Sequence, residues 1–291
     1  MTVERVGIVG AGQMGAGIAE VCARADVEVL VYEQTRELTT SGRHRILQSL
    51  DRGVSSGKIT EREREHAACK LRFTSDLADF ADRQLVVEAV LEDEKTKADI
   101  FTELDAVVTD PGAVLASNTS SIPIATLGSA TTAPERVLGL HFFNPVPVLP
   151  LVELVTTELT SQAVADRAER FAGDVLGKQV VRSADRPGFV VNALLVPYLL
   201  SAIRMVESGF ATTEDVDKAT VLGLAHPMGP LALTDLIGLD TVKAIADSMY
   251  SEFGEPLFAA PSLLLRMVEA GQVGKKTGAG FYRYENGRVA K

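Results

Sequence analysis

The chain has 291 residues, of which 46% are hydrophobic, with 29 Lys and Arg against 39 Asp and Glu for a formal net charge of −10. That length supports a large core and two domains, while the charge argues against nucleic acid or an anionic membrane surface as partner. Two cysteines and four scattered histidines offer neither a disulfide framework nor a metal-ligand spacing, so no metal is expected.

The first element is an apolar strand, Arg5 to Val9, which runs into Gly10-Ala-Gly12-Gln13-Met14-Gly15 and then into a helix through Ile18, Val21 and Cys22. Gly10 permits the tight turn, Gly12 lets the backbone approach a pyrophosphate, and Gly15 lets helix and strand pack closely. The helix N-terminus offers N–H groups and the positive end of its dipole to phosphates. A second strand, Val27 to Tyr32, ends at Glu33, where an acidic side chain meets the adenine ribose hydroxyls. Strand, glycine triplet, helix, strand and acid in this order point to dinucleotide binding. NAD is favoured over NADP because the Glu33 carboxylate repels a 2′-phosphate, a preference tempered by Arg36 nearby. The opening strand follows Met1 so closely that no signal or transit peptide is expected, and the protein reads as soluble and cytoplasmic.

A long helical region from about Thr35 to Ala68 is expected to break at Gly53 and Gly57 and to restart at Thr60-Glu-Arg-Glu63, a capping-box pattern. Leu71-Arg-Phe73 reads as a short strand, Gln84 to Val90 as a buried strand, Asp93 to Val108 as an amphipathic helix, and Ala113 to Ser117 as a further strand. Arg136 to Leu140 then delivers His141. Apolar strands separated by helices imply a doubly wound α/β domain of Rossmann type, with ligands at the carboxyl ends of its strands. Gly10, Glu33, Glu92, Ser120 and His141 each follow an expected strand and so converge on one cleft.

His141-Phe-Phe-Asn144-Pro145 is followed by Glu153, too far along to share a helix face. Pro145, Pro147 and Pro150 bend the connection, and Leu151 to Val155 reads as a strand that can return Glu153 to His141. An imidazole that takes a proton from an alcohol needs such a carboxylate to fix its tautomer and stabilise the imidazolium.

Beyond Gln179 to Ser183 the character changes. Asp185-Arg-Pro187-Gly188 is turn chemistry, and helices are expected over about 189–207, 213–222, 230–252 and 262–270, before a terminal strand from Gly280 to Tyr284. The apolar run from Phe189 to Met205 contains Asn192, Pro197, Ser201 and Arg204, so it reads as a buried helix and not a membrane span. The expected division is a Rossmann domain over 1–185 carrying the His/Glu pair, and a smaller all-α domain over 186–291 for substrate binding and dimerisation. A homodimer formed through the second domain is the economical reading.

Several segments together carry a family resemblance: Gly10-Ala-Gly-Gln-Met-Gly-Ala-Gly-Ile, Val87-Glu-Ala-Val-Leu-Glu92, Ser117-Asn-Thr-Ser-Ser121, His141-Phe-Phe-Asn-Pro, Pro187-Gly-Phe-Val-Val-Asn192, His226-Pro-Met-Gly-Pro230 and Gly274-Lys-Lys-Thr-Gly-Ala-Gly-Phe-Tyr282. Across essentially the whole chain they resemble the L-3-hydroxyacyl-CoA dehydrogenases, within them the short monofunctional 3-hydroxybutyryl-CoA type. The resemblance implies reversible oxidation of a short-chain 3-hydroxyacyl-CoA to the 3-ketoacyl-CoA, with NAD as hydride acceptor. It implies His141 as the base and Glu153 as its orienting carboxylate. Ser120 matches a serine near the substrate oxygen and nicotinamide, and Asn192 an asparagine that hydrogen-bonds the substrate. Asn144 is implied near the nicotinamide, Glu92 and Lys97 near the cofactor ribose and phosphates, and Lys276 as a cofactor contact from the second domain. Gln13 and Met14 belong to the cofactor loop, and Lys58 is implied as a partner for CoA phosphates. Two departures stand out: Ala193 where many relatives carry arginine, and Glu33 where aspartate is commoner.

Blander readings exist for some of these residues. Ser120 would serve equally as a cap for a helix beginning near Pro123, and Lys58, Lys97 and Lys276 as solvated charges. Two other functions fit parts of the pattern. One is a dehydrogenase of free 3-hydroxy acids, whose chemistry uses a lysine. The other is a non-enzymatic, crystallin-like NAD-binding protein.

Overall fold

The computed structural model describes residues 2–285 and 288–290. Contacts divide it into two compact units, the first ending at Arg186 and the second beginning at Pro187.

The first unit alternates strand and helix in the order β1 (Arg5–Val9), α1 (Gln13–Arg24), β2 (Glu28–Tyr32), α2 (Arg36–Ser55), α3 (Glu61–Cys69), β3 (Leu71–Thr74), β4 (Leu85–Glu88), α4 (Glu94–Val107), β5 (Val114–Ser117) and α5 (Ile124–Ser129). It continues with β6 (Val137–Phe142), β7 (Leu151–Thr156), α6 (Gln162–Arg170), one π turn over 171–175, and β8 (Gln179–Ala184). The strands form one sheet in the order β3-β2-β1-β4-β5-β6-β7-β8. Every adjacent pair is parallel except β6 and β7. The chain winds outward in both directions from β1, so the switch point falls between β1 and β4, where such sheets bind ligands. Val6, Ile8 and Val9 of β1 and Leu85, Val86 and Val87 of β4 are buried, as continuous apolar runs must be in a sheet covered on both faces.

Local chemistry sets the helix starts. The Thr35 side chain accepts the Leu38 N–H ahead of α2, Thr60 and Glu63 form the capping box of α3, and Asp93 accepts the Thr96 N–H ahead of α4. Gly53 does not break α2, contrary to expectation. A Cβ at Gly53 would lie 3.1 Å from Ile59, so the residue is small because the chain folds back against it, and the turn comes at Gly57, with φ +70.

The second unit contains α7 (Val191–Glu207), α8 (Thr213–Gly223), α9 (Pro230–Ile237), α10 (Leu239–Phe253) and α11 (Ser262–Glu269), closed by a short ribbon of β9 (Tyr284–Glu285) and β10 (Arg288–Val289). Leu199, Leu200, Ile203, Leu231, Leu239, Val242, Met249 and Leu264 belong to its core. The single helix expected over 230–252 is two helices, because Gly238 at φ +105 turns the chain between them. The expected strand over 280–284 contracts to its last residue. Residues 281 and 282 are held by a carboxylate instead: Asp235 accepts the N–H groups of Phe281 and Tyr282, each at 2.9 Å, and the Tyr284 hydroxyl at 3.0 Å. Asp217 likewise accepts the Leu231 and Ala232 N–H groups at the start of α9 and the Tyr282 hydroxyl. Among the described residues no helix is long and apolar enough to cross a membrane.

Candidate active site

The glycine loop is built for close approach. Gly10 takes φ +91, and a Cβ at Gly15 would fall 1.8 Å from the Gly10 carbonyl oxygen. Gly12, by contrast, has nothing within 4 Å of its Cβ position. The outer two glycines therefore let α1 and β1 pack, while the middle one faces open space. Gly12 is also the N-cap of α1 and brings no side chain to its first N–H groups, which leaves the helix terminus suited to an anion. Gln13 and Met14 open the first turn of that helix. Glu33 follows β2, and its Oε1 accepts the Ala11 N–H at 2.6 Å. Arg45 donates to the Ala11 carbonyl from α2. A loop open at Gly12, a bare helix N-terminus and a carboxylate beside them fit the pyrophosphate and ribose of NAD.

His141 and Glu153 are direct partners across the antiparallel β6–β7 ladder. Both are buried, and His141 Nδ1 lies 2.7 Å from Glu153 Oε2. His141 was expected after its strand; it sits inside β6 instead, because pairing with β7 extends the ladder to Phe142. Phe143 lays its ring against the imidazole, with centroids 4.5 Å apart. The strand end is pinned from β5: Asn118 Oδ1 accepts the Phe142 N–H at 2.9 Å. The bend between β6 and β7, which contains a cis Asn144–Pro145 peptide, is braced by a buried lysine. Lys178 Nζ donates to the carbonyls of Val146 and Leu149 at 2.6 and 2.7 Å. Burial and the nearby Arg24 charge hold its pKa below the ordinary lysine value.

A third group joins the ends of β4 and β5. Glu92 Oε1 accepts the Thr119 hydroxyl at 2.5 Å, the Ser120 N–H at 3.0 Å, the Ser121 N–H at 3.2 Å and the Ser121 hydroxyl at 2.8 Å. Burial pushes the Glu92 pKa up, but the Lys97 charge and these donors outweigh it and hold the carboxyl below its usual value. Lys97 is not a solvated charge: it is 1% exposed, 2.7 Å from Glu88 and 3.4 Å from Glu92. Glu88 also accepts the Val90 N–H at 2.7 Å and the Ser117 hydroxyl at 2.6 Å. Glu88 is not among the residues singled out from the sequence, although a carboxylate inside the apolar run Gln84–Val90 is a visible signal. Ser120 does not cap α5, since Asp185 accepts the Ile124 and Ala125 N–H groups, each at 2.8 Å.

The carboxyl edge of the sheet thus gathers Gly10, Gly12, Gly15, Glu33, Glu92, Ser120, Asn144 and the His141–Glu153 pair within the first unit. Lys58 is exposed on the turn between α2 and α3. In the second unit, Asn192 is buried in the first turn of α7, and Lys276 is ion-paired to Asp240 at 2.6 Å.

The family description "3-hydroxyacyl-CoA dehydrogenase, NAD binding domain" matches residues 5–186, and "3-hydroxyacyl-CoA dehydrogenase, C-terminal domain" matches residues 188–284. The chain is 70% identical over 282 residues to a 3-hydroxybutyryl-CoA dehydrogenase of Mycobacterium tuberculosis strain H37Rv, covering 97% of this chain and 99% of that one. The crystal structure of M. tuberculosis FadB2 superposes with a TM-score of 0.97 at 69% identity, over 98% of this chain and 100% of that one. The (S)-3-hydroxybutyryl-CoA dehydrogenase PaaH1 of Ralstonia eutropha gives a TM-score of 0.92 at 38% identity, again over 98% and 100%.

Proposed function

Since the chain belongs to the 3-hydroxyacyl-CoA dehydrogenase family, we propose that it oxidises the 3-hydroxyl of a short-chain (S)-3-hydroxyacyl-CoA, 3-hydroxybutyryl-CoA foremost, to the 3-ketoacyl-CoA, reversibly and with NAD. The observation that carries the residue roles is the buried 2.7 Å contact between His141 Nδ1 and Glu153.

A carboxylate on Nδ1 keeps the proton there and places the ring's lone pair on Nε2. His141 Nε2 accepts the proton of the 3-hydroxyl, and Glu153 stabilises the imidazolium that results. In the reverse direction the same nitrogen returns the proton to the carbonyl oxygen. The chemistry supplied by bound NAD is that of a hydride acceptor for C3. Gly10, Gly12, Gln13, Met14 and Gly15 hold its pyrophosphate, and Glu33 takes the adenine ribose and disfavours a 2′-phosphate. Ser120 contacts the reacting oxygen on its loop, Asn144 the nicotinamide end, and Glu92 the ribose side. Asn192 hydrogen-bonds the substrate, Lys58 meets CoA phosphates, and Lys276 contacts the cofactor. Lys97 acts from behind Glu92.

A homodimer formed through the second unit belongs to the same reading. Leu194 and Phe210 there are 73% and 79% exposed, with Leu222 and Leu224 also bare, apolar side chains that a second copy would cover. A cytoplasmic location is the setting proposed for it.

The test is NADH consumption with acetoacetyl-CoA and with free acetoacetate, in wild type and His141→Ala. Turnover that requires the CoA thioester and collapses in the variant supports the reading. Equal turnover of free acetoacetate, or indifference to His141, overturns it.

A further inference from the structure

Glu88 and Lys97 form an ion pair where the sheet gives them almost no access to water: Glu88 is fully buried, Lys97 is 1% exposed, and their charged atoms lie 2.7 Å apart. Desolvating two charges is costly, and a well-packed apolar pair of similar volume is often as stable or more so. Fold stability is therefore a weak reason for the pair. Its hydrogen bonds give a better one. Glu88 Oε1 accepts Lys97 Nζ and the Val90 N–H, while Oε2 accepts the Ser117 hydroxyl at the end of β5. Its backbone carbonyl accepts the Asn118 N–H at 2.8 Å, and Asn118 Oδ1 in turn accepts the Phe142 N–H beside His141.

Lys97 then stands 3.4 Å from Glu92 Oε2. The other Glu92 oxygen collects its donors from Thr119, Ser120 and Ser121. These donors on one oxygen and the Lys97 ammonium facing the other both favour the ionised carboxylate. The backbone of Ser120 is thus tied to Glu92, Glu92 to Lys97, and Lys97 to the same Glu88 that fixes Ser117 and Asn118.

We propose that Glu88 and Lys97 are positioning residues for the reaction: their buried ion pair braces Glu92 from behind, and so sets where Ser120 stands relative to His141. This rests on the reading of Ser120 as a substrate contact.

The test compares the double variant Glu88→Leu/Lys97→Met with wild type, Ser117→Ala and Ser120→Ala, using acetoacetyl-CoA and NADH. The double variant exchanges the ion pair for apolar packing. It is expected to keep a Tm close to wild type while losing on the order of ten- to a hundredfold in kcat, the scale on which misplacement of a reacting group acts. KM for NADH is expected to change by less than kcat, through the shift that Glu92 makes on the ribose side. A double variant with wild-type kcat, or one whose loss lies wholly in KM for NADH, overturns the proposal. Ser117→Ala removes the hydroxyl that donates to Glu88 and accepts the Thr119 N–H at 3.2 Å, so it loosens the hold of Glu88 on the Ser120 loop even if the double variant does not fold. A several-fold fall in its kcat supports the proposal, and wild-type kcat overturns it. Full activity in Ser120→Ala overturns the Ser120 reading itself. Loss in Ser120→Ala with wild-type kcat in Ser117→Ala and the double variant overturns the positioning pair alone.

Discussion

Glu153 stands directly opposite His141 on the neighbouring antiparallel strand, and its Oε2 lies 2.7 Å from the imidazole Nδ1. A ladder position fixes this geometry more firmly than a loop would, because both side chains leave the sheet on one face with their backbones already paired. Glu153→Gln keeps the shape and removes the charge, so it is expected to lower kcat by roughly 10²–10⁴-fold, the span typical of lost acid–base catalysis. His141→Ala should fall in the same range, and the double variant little further, since the two act as one unit. Steady-state kinetics with acetoacetyl-CoA checks this. Independent, multiplying losses would show that the pair does not act together.

Gly12 and Gly15 are predicted to part company. Gly12→Ala meets open space, so Tm should stay near wild type while the new methyl obstructs the pyrophosphate and raises KM for NADH. In Gly15→Ala the Cβ would fall 1.8 Å from the Gly10 carbonyl oxygen, forcing α1 away from β1. Overpacking of this kind typically costs about 1–3 kcal/mol. Thermal denaturation of the two purified variants separates them, and equal Tm values would contradict the packing argument.

Glu33→Ser should shift cofactor choice. Removing the carboxylate takes away the ribose acceptor and the repulsion toward a 2′-phosphate, and it releases the Ala11 N–H now held at 2.6 Å. The kcat/KM ratio of NADH to NADPH is expected to fall by about tenfold or more, the change that ~1.4 kcal/mol produces. An unchanged ratio would show that selectivity lies elsewhere.

Glu92 predicts a pH dependence of stability. Its folded pKa lies below the ordinary 4.5, so the folded state binds fewer protons than the unfolded chain in that window and stability rises with pH there. The Glu92 contribution is fully present above about pH 4.5 and is lost as pH falls through the depressed folded value. Tm against pH for wild type and Glu92→Gln should therefore show a gap at neutral pH that closes on acidification. A gap that is constant or widens toward acid would contradict the assignment.

Much of the first unit was legible because its signals are local. The Gly10–Gly15 spacing, the apolar runs of β1, β4 and β5, and the Thr60–Glu63 cap each lie within a short window of sequence. The His141–Glu153 pairing was foreseeable from three prolines and a return strand, although not that His141 would lie inside the ladder. Features set by distant partners were not readable. The burial of Lys97 depends on Glu88, and the division at Gly238 depends on a positive φ that sequence does not display. The segment at Phe281 and Tyr282 looked like a strand because it is apolar and aromatic, yet Asp235 from α9 takes the hydrogen bonds a strand partner would have made.

That last arrangement bears on how the protein is made. Asp235 collects three of its donors from residues 281–284, and Asp217 takes another from Tyr282. Both carboxylates are buried in the finished unit, and burial is costly for a carboxylate lacking its donors. During vectorial synthesis the helices of the second unit leave the ribosome before the segment that satisfies them. Closure of the second unit therefore waits on residues 281–284, and a messenger truncated short of Phe281 would leave its helices without the donors that Asp235 and Asp217 take from that segment.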